Sequence, residues 1–127
     1  MKLLKCSVCG NVVEMVEDHG APLMCCGKVM EEMQAGAVDA VVEKHVPVIS
    51  IDGDCLTANV GEVLHPMTPE HLISNVWIEF ADGSVKKVTL TSNDEPMAKF
   101  NIAGKSGKAV VYEYCNLHGL WKSEIVL

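Results

Sequence analysis

Arginine is absent from this chain, aromatic side chains make up only 5% of it, and no apolar run approaches the ~20 residues of a membrane span. Each gap removes a class of function. Without the guanidinium fork that grips phosphates, and with a net charge of −7, the chain is not built to bind nucleic acid. Without a long apolar run, no helix crosses a membrane. The opening residues "MKLLKCSVCG" lack the apolar stretch of a secretory leader and carry a cysteine pair in its place, so the expected location is cytoplasmic. Few aromatics leave the core to Val, Ile, Leu, Met and Ala. An apolar fraction of 49% is still ample for a globular fold.

What the chain does have is six cysteines and five histidines in 127 residues. Cytoplasmic thiols stay reduced, so six of them point to metal or catalysis rather than to disulfides. Charge is uneven: residues 1–62 hold ten acidic side chains against four lysines, and residues 63–127 hold seven against six. Two units are expected, 1–36 and 37–127, joined through the small, aperiodic stretch "QAGAVDA" at 34–40. The first is too short to bury a core and needs a staple. In the second, "VPVISI" (46–51), "NVWIEF" (75–80), "VKKVTL" (85–90) and "AVVYEYC" (109–115) read as strands. Asp82-Gly83 supplies a tight hairpin turn. No segment keeps a helical period over ten residues. The predicted fold is all-β, with an antiparallel sandwich as the larger unit.

Cys6-x-x-Cys9 and, after fifteen intervening residues, Cys25-Cys26 offer four thiolates from two short loops. Gly10 and Gly27 follow the pairs and let the backbone turn so that amides face the sulfurs. Four soft anions suit tetrahedral zinc or a single iron. Neighbouring side chains of an extended chain point apart, so the backbone at Cys25-Cys26 has to bend for both to reach one ion.

A second set is more distributed. His45, His65, His71 and His118 sit at predicted strand edges or in loops, and Cys115 lies three residues before His118. His19, in the polar turn "EDHGA", reads as a surface residue. Zinc is satisfied by four ligands. Four imidazoles and a thiolate suit a six-coordinate metal with one open position, iron before copper.

These motifs together, "CSVCG…CCG", "EKHVPV", "HPMTPEH" and "YCNLHGLWK", resemble the desulfoferrodoxin family, the two-iron type of superoxide reductase. The resemblance covers nearly the whole chain. It implies a desulforedoxin-like, rubredoxin-like front domain holding iron on Cys6, Cys9, Cys25 and Cys26, followed by an immunoglobulin-like sandwich. There it implies a second iron with His45, His65, His71 and His118 equatorial and Cys115 axial, and it puts Glu43 and Lys44 at the open face. The implied reaction is one-electron reduction of superoxide to hydrogen peroxide, with re-reduction by an external rubredoxin-type donor. Lys44 would attract the anion, and Glu43 would ligate the oxidised iron. A homodimer is expected, since the small front unit gains burial by pairing. Two features depart from the family pattern: Leu72 stands where an aromatic is common, and the segment from His71 to Trp77 is longer. Cys55 has no family role and reads as a packed thiol. Two other readings compete. A structural zinc-binding interaction module would be colourless, and a rubredoxin-like electron carrier would hold one iron per chain.

Overall fold

A computed structural model of the chain describes residues 1–36 and 45–127, and every regular element among them is a β-strand. Among the described residues no helix is long and apolar enough to cross a membrane. The chain divides into two compact units, Met1–Gln34 and Ala35–Leu127.

The first unit is built from very short strands. β1 (Leu3–Lys5) lies between β2 (Val12–Glu14) and β5 (Glu31–Glu32) in an antiparallel sheet. β3 (Met24–Cys25) and β4 (Lys28–Val29) form a two-stranded ribbon. Its core is Leu4, Cys6 and Met30, with Val13, Met15 and Cys25 packed against them. A fully buried apolar side chain contributes about 1.5–3 kcal/mol, whereas fixing one residue's backbone costs about 1–2 kcal/mol. A cluster of three buried side chains does not order 34 residues, and one of the three is itself a thiol of the four-cysteine set.

Among its described residues the second unit has seven strands: β6 (Pro47–Asp52), β7 (Cys55–Val60), β8 (Ile73–Glu79), β9 (Val85–Thr89), β10 (Met97–Asn101), β11 (Lys108–Cys115) and β12 (Gly119–Val126). They form two antiparallel sheets, ordered β10-β7-β6 and β12-β11-β8-β9. Inward residues of both sheets meet in one core: Leu56, Ala58 and Val60 from β7, Phe100 from β10, Val76 and Ile78 from β8, Ala109 and Val111 from β11. The strands expected from "VPVISI", "NVWIEF", "VKKVTL" and "AVVYEYC" are β6, β8, β9 and β11. Val76, Ile78 and Phe80 alternate inward as their spacing predicts. The Asp82-Gly83 turn is also present: Gly83 has φ +86°, and Asp82 Oδ1 accepts from Ser84 N at 2.9 Å.

The register of the longer segment after His71 is set by a bulge. Tyr114 pairs with Asn75 and Cys115 with Ile73, which leaves Ser74 as the extra residue on β8. The irregularity falls beside Cys115, where the second candidate site begins.

Glu113 is the surprise of β11. It points inward at the same period as Val111 and Cys115, is fully buried, and neither carboxylate oxygen has a hydrogen-bond partner among the described residues. Burial pushes its carboxyl up to about 9, so it is protonated at neutral pH. The folded value lies above the ordinary 4.5, so between those values the unfolded chain loses the proton and the folded chain keeps it. Stability attributable to this group is therefore greatest in acid and falls as pH rises towards 9. Glu113→Gln, which has no such proton to lose, is expected to melt above the parent at pH 8 and close to it at pH 5. Thermal melts of both proteins at the two pH values check this.

Candidate metal centres

The four cysteines of the first unit converge. Their sulfurs lie within 4.8 Å of one another, and Cys9 Sγ is 3.6 Å from Cys25 Sγ. Four sulfurs placed tetrahedrally about 2.3 Å from one ion would stand about 3.8 Å apart, so the spacing fits a metal. Cys6 and Cys9 come from the turn between β1 and β2. That turn closes through Cys6 N to Asn11 O and Gly10 N to Cys6 O, with Gly10 at φ +81°. Inside it, the amides of Cys9 and Val8 each point at Cys6 Sγ from 3.4 Å and draw that thiol down to about 6. Amides before the glycine, not its own, face the sulfur. Cys25 behaves oppositely. Its contacts with the thiols of Cys9 and then Cys6 push it up to about 12, as expected where several incipient anions crowd together.

The bend required at Cys25-Cys26 is visible in the backbone. Cys26 has φ +53°, the only non-glycine at positive φ among the described residues, and Gly27 follows at +72°. Such a conformation costs an ordinary L-residue roughly 1–2 kcal/mol and persists only where its surroundings dictate it. Both thiols are free rather than joined as a vicinal disulfide.

The second cluster gathers His45, His65, His71, Cys115 and His118. One donor atom from each lies within 4.8 Å of all the others. The residues come from four places in the second unit. His45 precedes β6, His65 and His71 lie between β7 and β8, Cys115 ends β11, and His118 sits in the turn to β12. The four rings close a cycle: His45 to His65, His65 to His71, His71 to His118 and His118 to His45. Centroids are 4.7–5.1 Å apart, and each ring stands at 78–86° to the next. Cys115 is fully buried beside it, its sulfur 3.8 Å from His118 Nδ1.

Nitrogen spacing tests what the cycle could hold. His45 Nε2 is 3.2 Å from His65 Nε2 and 2.9 Å from His118 Nδ1. Two nitrogens at right angles about 2.1 Å from one ion would be about 3.0 Å apart, so the residues present fit a metal. The protonation of His65 fits too. His65 Nδ1 donates to Pro66 O at 2.7 Å, which leaves the Nε2 lone pair facing the cluster. Burial holds this imidazole down at about 4, so it is a neutral ligand at physiological pH.

Asn116, between Cys115 and His118, ties the loops together. Its Oδ1 accepts from Leu72 N at 3.0 Å and its Nδ2 donates to Glu70 O at 2.8 Å, which grips the chain on both sides of His71. Thr68 and His71 also exchange backbone hydrogen bonds across a tight loop. Asn116 stands inside "YCNLHGLWK", where spacing alone assigns it no part. A polar residue between two ligands was the available signal.

His19 is exposed, 3.3 Å from Glu17, and takes no part in either cluster. Cys55 is a free, half-buried thiol at the first position of β7. Glu43 and Lys44 lie outside the described residues.

Two units of β-structure, one carrying four thiols and the other four imidazoles with a thiol, define a two-centre non-haem metalloprotein. The family model described as Desulfoferrodoxin matches residues 37–124, and that described as Desulfoferrodoxin, N-terminal domain, matches residues 1–33. The chain therefore belongs to the desulfoferrodoxin family. It is 44% identical over 125 residues to the desulfoferrodoxin of Syntrophotalea carbinolica, covering 98% of this chain and 96% of that protein. To the desulfoferrodoxin of Nitratidesulfovibrio vulgaris it is 46% identical over 124 residues, covering 97% and 95%. Its structure is similar to that of the superoxide reductase from Treponema pallidum, with a TM-score of 0.74 and 32% identity over 94% of this chain and 98% of that one.

Proposed function

We infer that this chain is a superoxide reductase with two iron sites, one on Cys6, Cys9, Cys25 and Cys26 and the other, catalytic, on His45, His65, His71, His118 and Cys115. The observation that carries the reading is the convergence of four imidazole nitrogens and one thiol within 4.8 Å. Bound there, ferrous iron supplies the one electron that, with two protons, turns superoxide into hydrogen peroxide.

The protein's share of the work is largely electrostatic. Four neutral imidazoles and one thiolate cancel a single charge of a divalent ion, so this donor set leaves a local positive site. Four thiolates at the other cluster over-neutralise the same ion. An anionic substrate is thus drawn to the histidine cluster although the whole chain carries −7. The Pro66 carbonyl keeps the His65 proton on Nδ1, away from the reacting face. The thiol of Cys115 is shielded from water by full burial.

Several features extend this reading. Lys44 steers superoxide and orders the water that delivers protons, and Glu43 offers its carboxylate to the oxidised centre between turnovers. Residues 1–36 and 37–127 are the two domains, the second an immunoglobulin-like sandwich. The protein works in the cytoplasm as a homodimer and draws electrons from a small rubredoxin-type donor. Lys44→Ala is expected to slow the reaction with superoxide about tenfold and to flatten its dependence on ionic strength. Pulse radiolysis across a salt series measures both.

The reaction itself is tested by product stoichiometry. A pre-reduced sample given limiting superoxide is expected to yield one hydrogen peroxide per superoxide and no dioxygen. Dioxygen at half the superoxide consumed would identify a dismutase instead.

A further inference from the structure

We propose that Trp121 is a positioning residue for the histidine cluster, one side chain that fixes the relative placement of His45 and His118. The inference rests on the reading of that cluster as a metal centre.

Trp121 lies on β12, opposite Glu113 of β11, and is buried. It is not part of the apolar cluster formed by Leu56, Ile78 and Val111; its ring contact is with an imidazole. The indole stacks on His45 with centroids 5.1 Å apart and planes 26° from parallel, so one face of that ligand is covered. Its Nε1–H donates to the His118 carbonyl at 3.0 Å. The two histidines are 73 residues apart in sequence, and their donor nitrogens are 2.9 Å apart in space.

Two degrees of freedom decide whether these nitrogens converge. One is the plane of the His45 ring, which could otherwise rotate about its side-chain bonds. Stacking on a ring anchored in a sheet holds that plane. The other is the path of the turn that carries His118. A buried indole N–H needs an acceptor, and the carbonyl it takes belongs to that ligand residue. Trp121 thereby couples the two donors: a shift of the turn moves the indole, and the indole moves the His45 plane. Groups that orient metal ligands in this way set metal affinity as strongly as about 10–100-fold.

The test uses the full chain and two variants, W121F and W121L, loaded anaerobically with ferrous iron. Iron is first counted in the parent. A parent that binds iron only at the four cysteines defeats the reading of the centre, whatever Trp121 does. With both sites loaded, release to a ferrous chelator is followed at each centre, and visible spectra are recorded after oxidation. W121L is expected to release iron from the histidine centre about 10–100-fold faster than the parent. W121F, which keeps a ring to stack and loses only the donor, should fall between them, and the histidine-centre band should shift in both. The four-cysteine centre of the same molecules serves as the control and should keep its spectrum and release rate. The proposal is overturned by parental release and spectra in both variants, or by equal loss at both centres, which marks a general folding defect. If W121L does not fold, W121F decides by the same criteria.

Discussion

Cys115→Ser is expected to lower the second-order rate with superoxide by at least about 100-fold while the four-cysteine iron stays in place. Among the described residues Cys115 is the only sulfur in the second cluster, and it is fully buried at the end of β11. Serine there keeps the shape but replaces a soft sulfur donor with a hard hydroxyl oxygen. The donor set then loses its one anion and its strongest electron donor. Loss of a group that merely orients a ligand costs about 10–100-fold, so loss of a ligand should cost at least the upper end of that range. Pulse radiolysis gives the rate, and iron analysis with the visible spectrum shows which centre is affected. A variant that keeps the parental rate would remove Cys115 from the chemistry.

The second large effect concerns the front unit. Removing its metal is expected to unfold Met1–Gln34 while the strands of the second unit stay protected. The buried core of the front unit is Leu4, Cys6 and Met30, so a central core residue is also a metal donor. Small domains of this type draw most of their folding free energy from the ion, on the order of 10 kcal/mol for structural zinc. Cys6→Ala removes donor and core together, whereas Cys9→Ser, at an exposed position, removes only the donor. Both are expected to abolish amide protection in β1, β2 and β5 and to leave β7, β8 and β11 unchanged by hydrogen exchange. Protected front strands in the metal-free protein would contradict this. The thiolates must be deprotonated to bind, so acidification should release the metal.

Strong alternation made much of the larger unit legible. β6, β8, β9 and β11 carry runs of Val and Ile with clear turns between them, and both clusters could be assembled from spacing and residue type. β7 and β10 were harder to see because their inward positions are modest. Leu56 pairs with Phe100, but Ala58 pairs with Ala98, and small residues give a faint apolar signal even when buried. β12 hides its period because Leu120 and Trp121 are buried in succession. The parts of Asn116 and Trp121 depend on which carbonyl or ring each one meets, which no periodicity encodes. Glu113 was out of reach: a carboxyl in a strand normally faces water, and only the packing of two sheets reverses that. The bend at Cys25-Cys26, by contrast, follows from the adjacency of two donors, although its left-handed form at Cys26 does not.

The sequence separation of the donors sets when each centre can come into being. The thiols of the first are complete by residue 26, within one local ribbon and turn, whereas the second needs His45 and His118 brought together across 73 positions. Contacts so distant form late, after the strands between them have closed. An ion held by all five donors is thus a certificate of finished topology, and a chain stalled or misregistered midway can be coloured by its first metal yet have no means of meeting superoxide.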